Sequence, residues 1–159
     1  MKRFVLSLLL SGFFVAAAAA QSTIFIVRHA EKAESAGNDP DLSEAGRVRA
    51  EALAKMLKDA DITAIYATEF KRAQQTAAPL AKNLGIDVTI VPAKETAALN
   101  AKLRDSHGNA LVVGHGNTIP DLIKALAINI PINIGENDYD NLFVIVPGEK
   151  PRLLRLHYR

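Results

Sequence analysis

Short apolar runs alternate along most of the chain with longer stretches in which hydrophobic residues recur every three or four positions. The short runs predict β-strands, and the early ones are apolar enough for a sheet that is buried on both faces. The predicted strands are 23–27, 63–67, 87–91, 110–113, 142–146 and 152–158. The longer stretches predict α-helices at 43–58, 70–84, 95–105 and 119–127.

The order of these elements predicts a fold class. Strands that alternate with helices favour right-handed crossovers and a mostly parallel sheet covered on both faces. We therefore predict a three-layer, doubly wound α/β domain. Ser43 is a plausible N-cap of the first helix, and Gly85 is placed to end the second. No helix separates the last two strands, so they are expected to form a hairpin around Pro147-Gly148, with one antiparallel edge.

The first 20 residues stand outside this alternation. A basic head, Met1-Lys2-Arg3, precedes a mainly apolar segment at 4–15, and small residues lead to an A-x-A sequence at Ala18-Ala19-Ala20. This layout predicts a secretory signal peptide, because the apolar segment is too short to span a bilayer comfortably. Cleavage after Ala20 would leave a single periplasmic or secreted domain, residues 21–159, without stable membrane insertion. An uncleaved anchor is the alternative.

Charge and cysteine content narrow the class of protein further. The chain of 159 residues has a formal net charge of +2, and loss of Lys2 and Arg3 would leave 17 basic against 17 acidic residues. A neutral domain gives no reason to expect a nucleic-acid partner. The chain contains no Cys, so disulfides and thiolate chemistry are excluded. An exported domain of this kind must be stabilised by its core, and 49% hydrophobic residues permit one.

Ionisable residues follow the carboxyl ends of three predicted strands, which is where ligands bind in open α/β sheets. They are Arg28, His29 and Glu31 after the first strand, Thr68, Glu69, Lys71 and Arg72 after the second, and Gly114-His115-Gly116-Asn117 after the fourth. A guanidinium group can bind two phosphate oxygens at once, and its charge disfavours a positive charge on a nearby imidazole. Since a neutral imidazole can act as a nucleophile, this set is suited to phosphoryl transfer without a metal.

Four ordered segments, IVRHAEK, DPDLSEAGRVRAEAL, IYATEFKRAQQTAAPL and LVVGHGNT, resemble the histidine phosphatase superfamily from Thr23 to about Asp121. The similarity is to phosphoglycerate mutase-like members with a short Arg-His-x-Glu motif, which include the small protein-phosphohistidine phosphatases. It implies a doubly wound α/β fold and His29 as the nucleophile that becomes phosphorylated. It also implies that Arg28, Arg72 and His115 complete the phosphate-binding core. We expect no cofactor, and a small phosphorylated molecule or a phosphoprotein as substrate.

The sequence departs from the fuller family pattern around its proton donor. The motif has Ala-Glu after Arg-His instead of Gly-x-Thr, and Gly116 follows His115 where the acid phosphatase and phytase branch has a proton-donating Asp. The insertions that shape mutase and phytase pockets are also missing. Glu95 follows the third predicted strand, roughly where the mutase-like branch has its acidic residue, and is the favoured donor. Glu31 and Asp121 are the alternatives.

The remaining ionisable residues have simpler interpretations. Glu31 and Lys32 are expected at the rim of the pocket, His107 in a loop or at a helix end, and His157 in a strand or at the surface.

Two other functions stay open at this point. The first is a non-catalytic anion-binding module of the same fold. The second is a metalloenzyme that uses His29, Glu31 and His115, although His-x-Glu is a weak metal motif and the chain has no H-E-x-x-H pair. A mutase is disfavoured, because an exported protein would not meet cytoplasmic glycolytic substrates. A sugar phosphate, a lipopolysaccharide phosphate and a phosphoprotein all remain possible substrates.

Overall fold

A computed structural model describes residues 22–34 and 37–159, in which four strands alternate with four helices and two further strands follow. The strands are β1 Ile24–Arg28, β2 Ile62–Ala67, β3 Val88–Ile90, β4 Asn109–Gly114, β5 Asn141–Val146 and β6 Arg152–His157. The helices are α1 Glu44–Leu57, α2 Lys71–Leu84, α3 Thr96–Asp105 and α4 Thr118–Ala125. The predicted elements are therefore all present, with ends that differ by one or two residues. The predicted signal peptide, residues 1–20, lies outside the described residues.

The six strands form one sheet in the order β3-β2-β4-β1-β5-β6. The first four strands of this order are parallel, while β5 runs antiparallel to β1 and β6 antiparallel to β5. The expected mostly parallel sheet and the C-terminal hairpin are thus confirmed. Within the described residues, no helix has the length and apolar content needed to cross a membrane.

Helices cover both faces of the sheet and enclose two apolar cores. Alternate strand residues point to opposite faces. Val27 and Val113 pack with α1 and α2, whereas Ile26 and Val112 pack with α3 and α4. This two-sided burial explains why the central strands are nearly continuous apolar runs, and it confirms the three-layer arrangement.

Neighbouring strands β1 and β4 create the crevice in which a ligand can lie. After β1 the chain turns into α1 on one face, and after β4 it turns into α4 on the other. Connections that leave adjacent strands in opposite directions open a gap at their carboxyl ends. Arg28 pairs with Gly114 at this edge, so the residues that follow the two strands are placed side by side.

The ends of α1 and α2 are defined by local interactions. Ser43 caps α1 by accepting a hydrogen bond from the Gly46 backbone N–H at 3.0 Å, as predicted. Gly85 ends α2 with a φ of 66°, a left-handed conformation that glycine adopts without a steric penalty. Gly46 also lies directly against the Glu31 backbone, where a Cβ atom would collide with the carbonyl group. The first turn of α1 is thereby packed onto the segment that follows β1.

Candidate active site

His29 lies just beyond β1 and is almost fully buried, with 5% of its surface exposed. Its backbone N–H donates to the Gly114 carbonyl oxygen at 2.9 Å, which extends the pairing of β1 with β4 by one residue. The ring atom Nδ1 is 2.8 Å from the Ala30 carbonyl oxygen. Because a carbonyl can only accept, Nδ1 carries the proton of the neutral ring and donates it there. The Nε2 lone pair is consequently free to attack an electrophile.

The surroundings of His29 keep its imidazole neutral. Burial lowers its pKa from 6.5 to about 4, because the charged ring would lose its hydration. The hydrogen bond to Ala30 opposes this shift, while His115, Arg72 and Arg28 add to it by disfavouring another positive charge. A neutral His29 is therefore the dominant form near pH 7, as a nitrogen nucleophile requires.

His115 faces His29 from the turn between β4 and α4. The two rings lie edge to face with centroids 5.1 Å apart. The Thr68 hydroxyl lies 2.8 Å from Nε2 of His115, and the Phe70 ring packs against its imidazole with centroids 5.1 Å apart. Burial lowers the pKa of His115 to about 4, with further lowering by Arg72 and Arg28. Two neutral imidazoles thus share one buried corner of the site.

The Thr118 side chain holds the backbone of this turn. Its hydroxyl oxygen accepts from the His115 backbone N–H at 3.0 Å. The backbone N–H groups of Thr118 and Ile119 donate to the His115 carbonyl at 3.1 and 3.0 Å. His115 is therefore fixed by the first turn of α4 and by the end of β4.

Arg72 reaches the same corner from the first turn of α2. One turn later, the fully buried Thr76 accepts a hydrogen bond from the Ala30 backbone N–H at 2.9 Å and donates to the Arg72 carbonyl at 2.7 Å. The spacing i, i+4 places both residues on the helix face that meets the end of β1. The Arg72 guanidinium lies 4.4 Å above the Phe70 ring and 3.7 Å from Asp39. Its Nε is buried and has no hydrogen-bond partner among the described residues.

Arg28 is held by the segment that connects α4 to β5. Its Nη1 donates to the carbonyl oxygens of Gly135 at 2.8 Å and Glu136 at 2.7 Å. The Tyr139 ring lies 4.3 Å from the guanidinium carbon, within the range of a cation–π contact. Nε of Arg28 is buried and, within residues 22–34 and 37–159, lacks a hydrogen-bond partner, as in Arg72. Both arginines therefore keep an unused donor at the site.

These side chains surround a pocket of about 390 Å³ at the carboxyl edge of the sheet. It is lined by Arg28, His29, Lys32, Arg72, His115, Gly116, Asn117, Ile134, Gly135 and Glu136. Three of these residues are cationic and one is acidic, so the pocket has a positive field. Such a field, with free guanidinium donors and a neutral imidazole, suits a phosphate dianion.

The positions of buried polar residues single out the same region. Five polar side chains are buried in the described part of the chain: His29, Thr68, Thr76, His115 and Asn141. The first four form or directly support the pocket through the contacts above. Since a buried polar group lowers stability unless it is bonded, their concentration in one place indicates a functional site.

The other predicted site residues lie elsewhere. The Glu31 carboxylate accepts from Nε of Arg49 at 2.9 Å and from Nη2 at 2.7 Å. Burial acts to raise the pKa of Glu31, but hydrogen bonds and the charge of Arg49 outweigh it and lower the pKa. Glu95 is exposed and lines a separate, mainly apolar cavity together with Thr68. Asp121 is exposed on α4 and does not line the pocket. Of the two residues expected at the rim, Lys32 lines the pocket, whereas Glu31 binds α1.

The two remaining histidines have the positions that were predicted for them. His107 is exposed in the loop before β4, and His157 ends β6 at the surface, where its Nδ1 lies 3.1 Å from Asp140. Across residues 22–34 and 37–159, no three His, Asp or Glu side chains come together in a way that could hold a metal ion.

Sequence reasoning missed several residues that support the pocket. In the sequence, Thr76 is one more residue of a predicted helix, although a polar residue on an otherwise apolar helix face indicates a specific hydrogen bond. Asp39 accepts the Lys71 backbone N–H at 2.9 Å from a distant loop, so spacing along the chain gave no signal. Tyr139 and the 135–136 carbonyls belong to an irregular segment that follows no parallel strand.

Comparison with known proteins finds a family whose model matches the N-terminal half of the described domain. Residues 24–95 match the model of the histidine phosphatase superfamily, branch 1. The matched segment contains Arg28, His29 and Arg72, whereas His115 lies beyond it and is brought to the site by the fold.

Solved structures of low sequence identity share this architecture. The protein histidine phosphatase SixA in complex with tungstate is 19% identical, with a TM-score of 0.68 over 85% of this chain and 96% of SixA. A mycobacterial glucosyl-3-phosphoglycerate phosphatase is 18% identical, with a TM-score of 0.67 over 86% of this chain and 98% of that protein. A candidate alpha-ribazole-5′-phosphate phosphatase from Escherichia coli is 16% identical, with a TM-score of 0.70 over 86% and 96%. The resemblance predicted from the sequence is confirmed by the match of residues 24–95 to the histidine phosphatase superfamily, and the solved structures show that the chain has the phosphoglycerate mutase-like fold.

Proposed function

We propose that this protein is an exported phosphatase that hydrolyses a phosphomonoester, or a phosphoprotein, through a phosphohistidine on His29. One observation carries the proposal. A neutral imidazole with a free Nε2 lies in a positive pocket, between two arginines that each retain an unpartnered Nε. The family match and the phosphatases among the structural relatives support the same class of reaction.

In the first step, the lone pair on His29 Nε2 attacks phosphorus in line with the bond to the leaving oxygen. Nδ1 keeps its proton and its hydrogen bond to the Ala30 carbonyl oxygen, which stabilises the positive charge that develops on the ring. Arg28, Arg72 and His115 donate to the equatorial oxygens, where charge increases in the transition state. Their positions are fixed before the substrate arrives, so little reorganisation is needed.

In the second step, water attacks the phosphohistidine, and the bonding electrons return to Nε2. The product is inorganic phosphate, and the same donors stabilise this second transition state. The leaving oxygen of the first step needs a proton, and an acid that supplies it contributes about 10²- to 10⁴-fold in rate. Glu95 is the donor suggested by the family pattern, and its position in a neighbouring cavity is the main argument against it.

The two rival functions are less well supported. A metal site built from His29, Glu31 and His115 would need the Glu31 carboxylate, which already forms a two-point contact with Arg49. A binding module would use the same pocket without turnover, and no contact in the site favours it over catalysis. Export rests on the sequence of residues 1–20 alone.

The proposal is tested by a screen of phosphomonoesters and phosphopeptides against the mature protein, with His29→Ala as the control. We expect turnover that is inhibited by vanadate, unaffected by a chelator and lost in the variant. Full activity of His29→Ala would contradict the mechanism, and chelator-sensitive turnover would favour a metalloenzyme. Vanadate binding without turnover of any substrate would favour the binding module.

A further inference from the structure

The phosphate pocket has one acidic residue in its lining, Glu136, and sequence analysis gave it no role. It belongs to the irregular segment between α4 and β5. We propose that the Glu136 carboxyl group is the general acid that protonates the leaving oxygen. This inference rests on the phosphatase function proposed above and assigns the proton donor of that reaction.

The other carboxylates near the site either bind protein groups already or line a different cavity. Glu31 is bound by Arg49. Asp39 pairs with Arg72 and accepts the Lys71 backbone N–H. Glu69 accepts the Ala93 backbone N–H at 2.8 Å. Glu95 lines a different cavity. The Glu136 carboxylate, by contrast, forms no hydrogen bond or ion pair with the described residues, while its residue lines the pocket.

The backbone that carries Glu136 is fixed at the site. Arg28 Nη1 holds the carbonyl oxygens of Gly135 and Glu136. The Gly135 N–H donates to the Asp138 carboxylate at 2.8 Å, which closes the turn. The residue is thus anchored to the same guanidinium that is proposed to bind the phosphate. Its exposed side chain retains the freedom to reach a leaving group at the pocket mouth.

The electrostatics of the bound state favour a protonated carboxyl group. Arg28, Lys32 and Arg72 give the lining of the pocket three positive charges. A phosphate dianion neutralises these cations and brings negative charge next to Glu136. Like charges at short range favour the neutral acid, so substrate binding itself promotes the form that can donate.

The step balances in atoms and electrons. His29 Nε2 forms a bond to phosphorus while the bond from phosphorus to the leaving oxygen breaks, and that electron pair moves to the oxygen. The Glu136 proton is transferred to this oxygen, which yields an alcohol and a carboxylate. In hydrolysis the carboxylate takes a proton from the attacking water, and the bond from phosphorus to Nε2 breaks. Glu136 and His29 are then restored.

A comparison of leaving groups tests the role of Glu136. Glu136→Gln keeps the backbone carbonyl that binds Arg28 and replaces the carboxyl group with a neutral amide of similar shape, which cannot act as a general acid. We expect kcat/KM for an alkyl phosphate to fall by about 10²-fold or more, since alkoxide leaves poorly without protonation. For p-nitrophenyl phosphate, whose leaving group needs no proton, we expect a change of less than about 3-fold. The ratio of kcat/KM values reports the phosphorylation step even where hydrolysis limits kcat.

Two matched variants complete the experiment. Glu149→Gln changes an exposed carboxylate at the opposite edge of the sheet and is expected to alter neither substrate. Glu95→Gln tests the donor suggested by the family pattern. This inference would be overturned if Glu95→Gln lost kcat/KM for the alkyl phosphate alone, or if Glu136→Gln lost kcat/KM equally for both substrates. In either case, turnover by the wild type would leave the proposed function standing. Absence of wild-type turnover on both substrates would overturn both proposals.

Discussion

At the scale of single residues, the site depends on keeping two imidazoles neutral beside two guanidinium groups. Burial is the main cause of the lowered pKa of both His29 and His115, and the arginines add to it. The hydrogen bond from Nδ1 to Ala30 then determines which nitrogen of His29 is free. The protonation state, the tautomer and the position of the proposed nucleophile are therefore all set by the protein before a ligand binds.

The lowered pKa values predict how stability depends on pH. Both histidines have a pKa of about 4 in the folded protein against 6.5 in the unfolded chain, so the unfolded chain binds protons more strongly. Their contribution is present above pH 6.5 and is lost as pH falls towards 4, by up to roughly 3 kcal/mol for each group.

Denaturant unfolding between pH 4 and 7.5 in phosphate-free buffer measures this dependence. We expect His29→Asn and His115→Asn each to flatten the curve between pH 6.5 and 4. Equal slopes in wild type and both variants would show that neither imidazole is held neutral by the fold.

Arginine geometry at positions 28 and 72 leads to a second prediction. Lysine would keep the positive charge but lose the unpartnered Nε and the planar fork. A lost hydrogen bond to a charged group costs about 1.5–3 kcal/mol, so we expect Arg72→Lys and Arg28→Lys to lower kcat/KM by about 10- to 100-fold.

The control for these variants is Arg152→Lys, because Arg152 is exposed on β6 and far from the pocket. Steady-state kinetics on one phosphomonoester is the measurement. Unchanged kcat/KM in Arg72→Lys and Arg28→Lys would mean that a positive charge is enough to bind the phosphate and that the planar guanidinium group is not required.

At the scale of elements, the carboxyl end of β1 is held from two sides. Thr76 of α2 binds the Ala30 N–H, and α1 packs its Gly46 against the Glu31 backbone. The Glu31–Arg49 pair adds a second link between this segment and α1. The Arg-His-Ala-Glu motif therefore has two functions: its first half lies in the pocket and its last residue docks a helix.

Packing of α1 against this segment predicts a steric effect of substitution. A Cβ atom at position 46 would collide with the Glu31 carbonyl, a backbone group that has little room to move. Despite the better helix propensity of alanine, we expect Gly46→Ala to lower the free energy of unfolding by about 2–3 kcal/mol. Gly37→Ala is the matched control, because a Cβ atom there would meet nothing within 4 Å and its effect should stay within about 0.5 kcal/mol. Similar unfolding midpoints for both variants would contradict the close packing.

Elements were predictable from sequence because their signals are local. Apolar runs gave the strands, the Ser43 cap and Gly85 gave helix ends, and the strand ends gave Arg28, His29 and His115. Contacts between distant loops carry no such signal. Asp39, Tyr139 and Glu136 come to the pocket from irregular segments, so neither their periodicity nor their spacing could place them.

At the scale of the whole molecule, one crevice between β1 and β4 brings together residues from four separate parts of the chain. Both cores meet the sheet at these central strands, so the site lies directly beside the buried core of the fold. The peripheral β6 is largely exposed and contributes nothing to the pocket lining. Ligand binding should therefore be coupled to global stability.

Coupling of this kind predicts that oxyanions stabilise the protein. At 100 times its dissociation constant, a bound anion adds about 2.7 kcal/mol to the free energy of unfolding. We expect vanadate or tungstate to raise the unfolding temperature of the wild type and to leave Arg72→Ala nearly unchanged. Differential scanning fluorimetry over a range of anion concentrations measures this effect. Equal shifts for the two proteins would place the anion outside the pocket described here.

The central claim is that His29 becomes covalently phosphorylated during turnover. The most direct test is to mix the protein with a phosphomonoester labelled at phosphorus, quench the reaction rapidly during turnover, and locate the label by peptide mapping. We predict label on His29 that is lost in acid and stable in alkali, and no label in His29→Ala. Steady turnover by the wild type without labelled His29, or turnover of His29→Ala at the wild-type rate, would contradict the account.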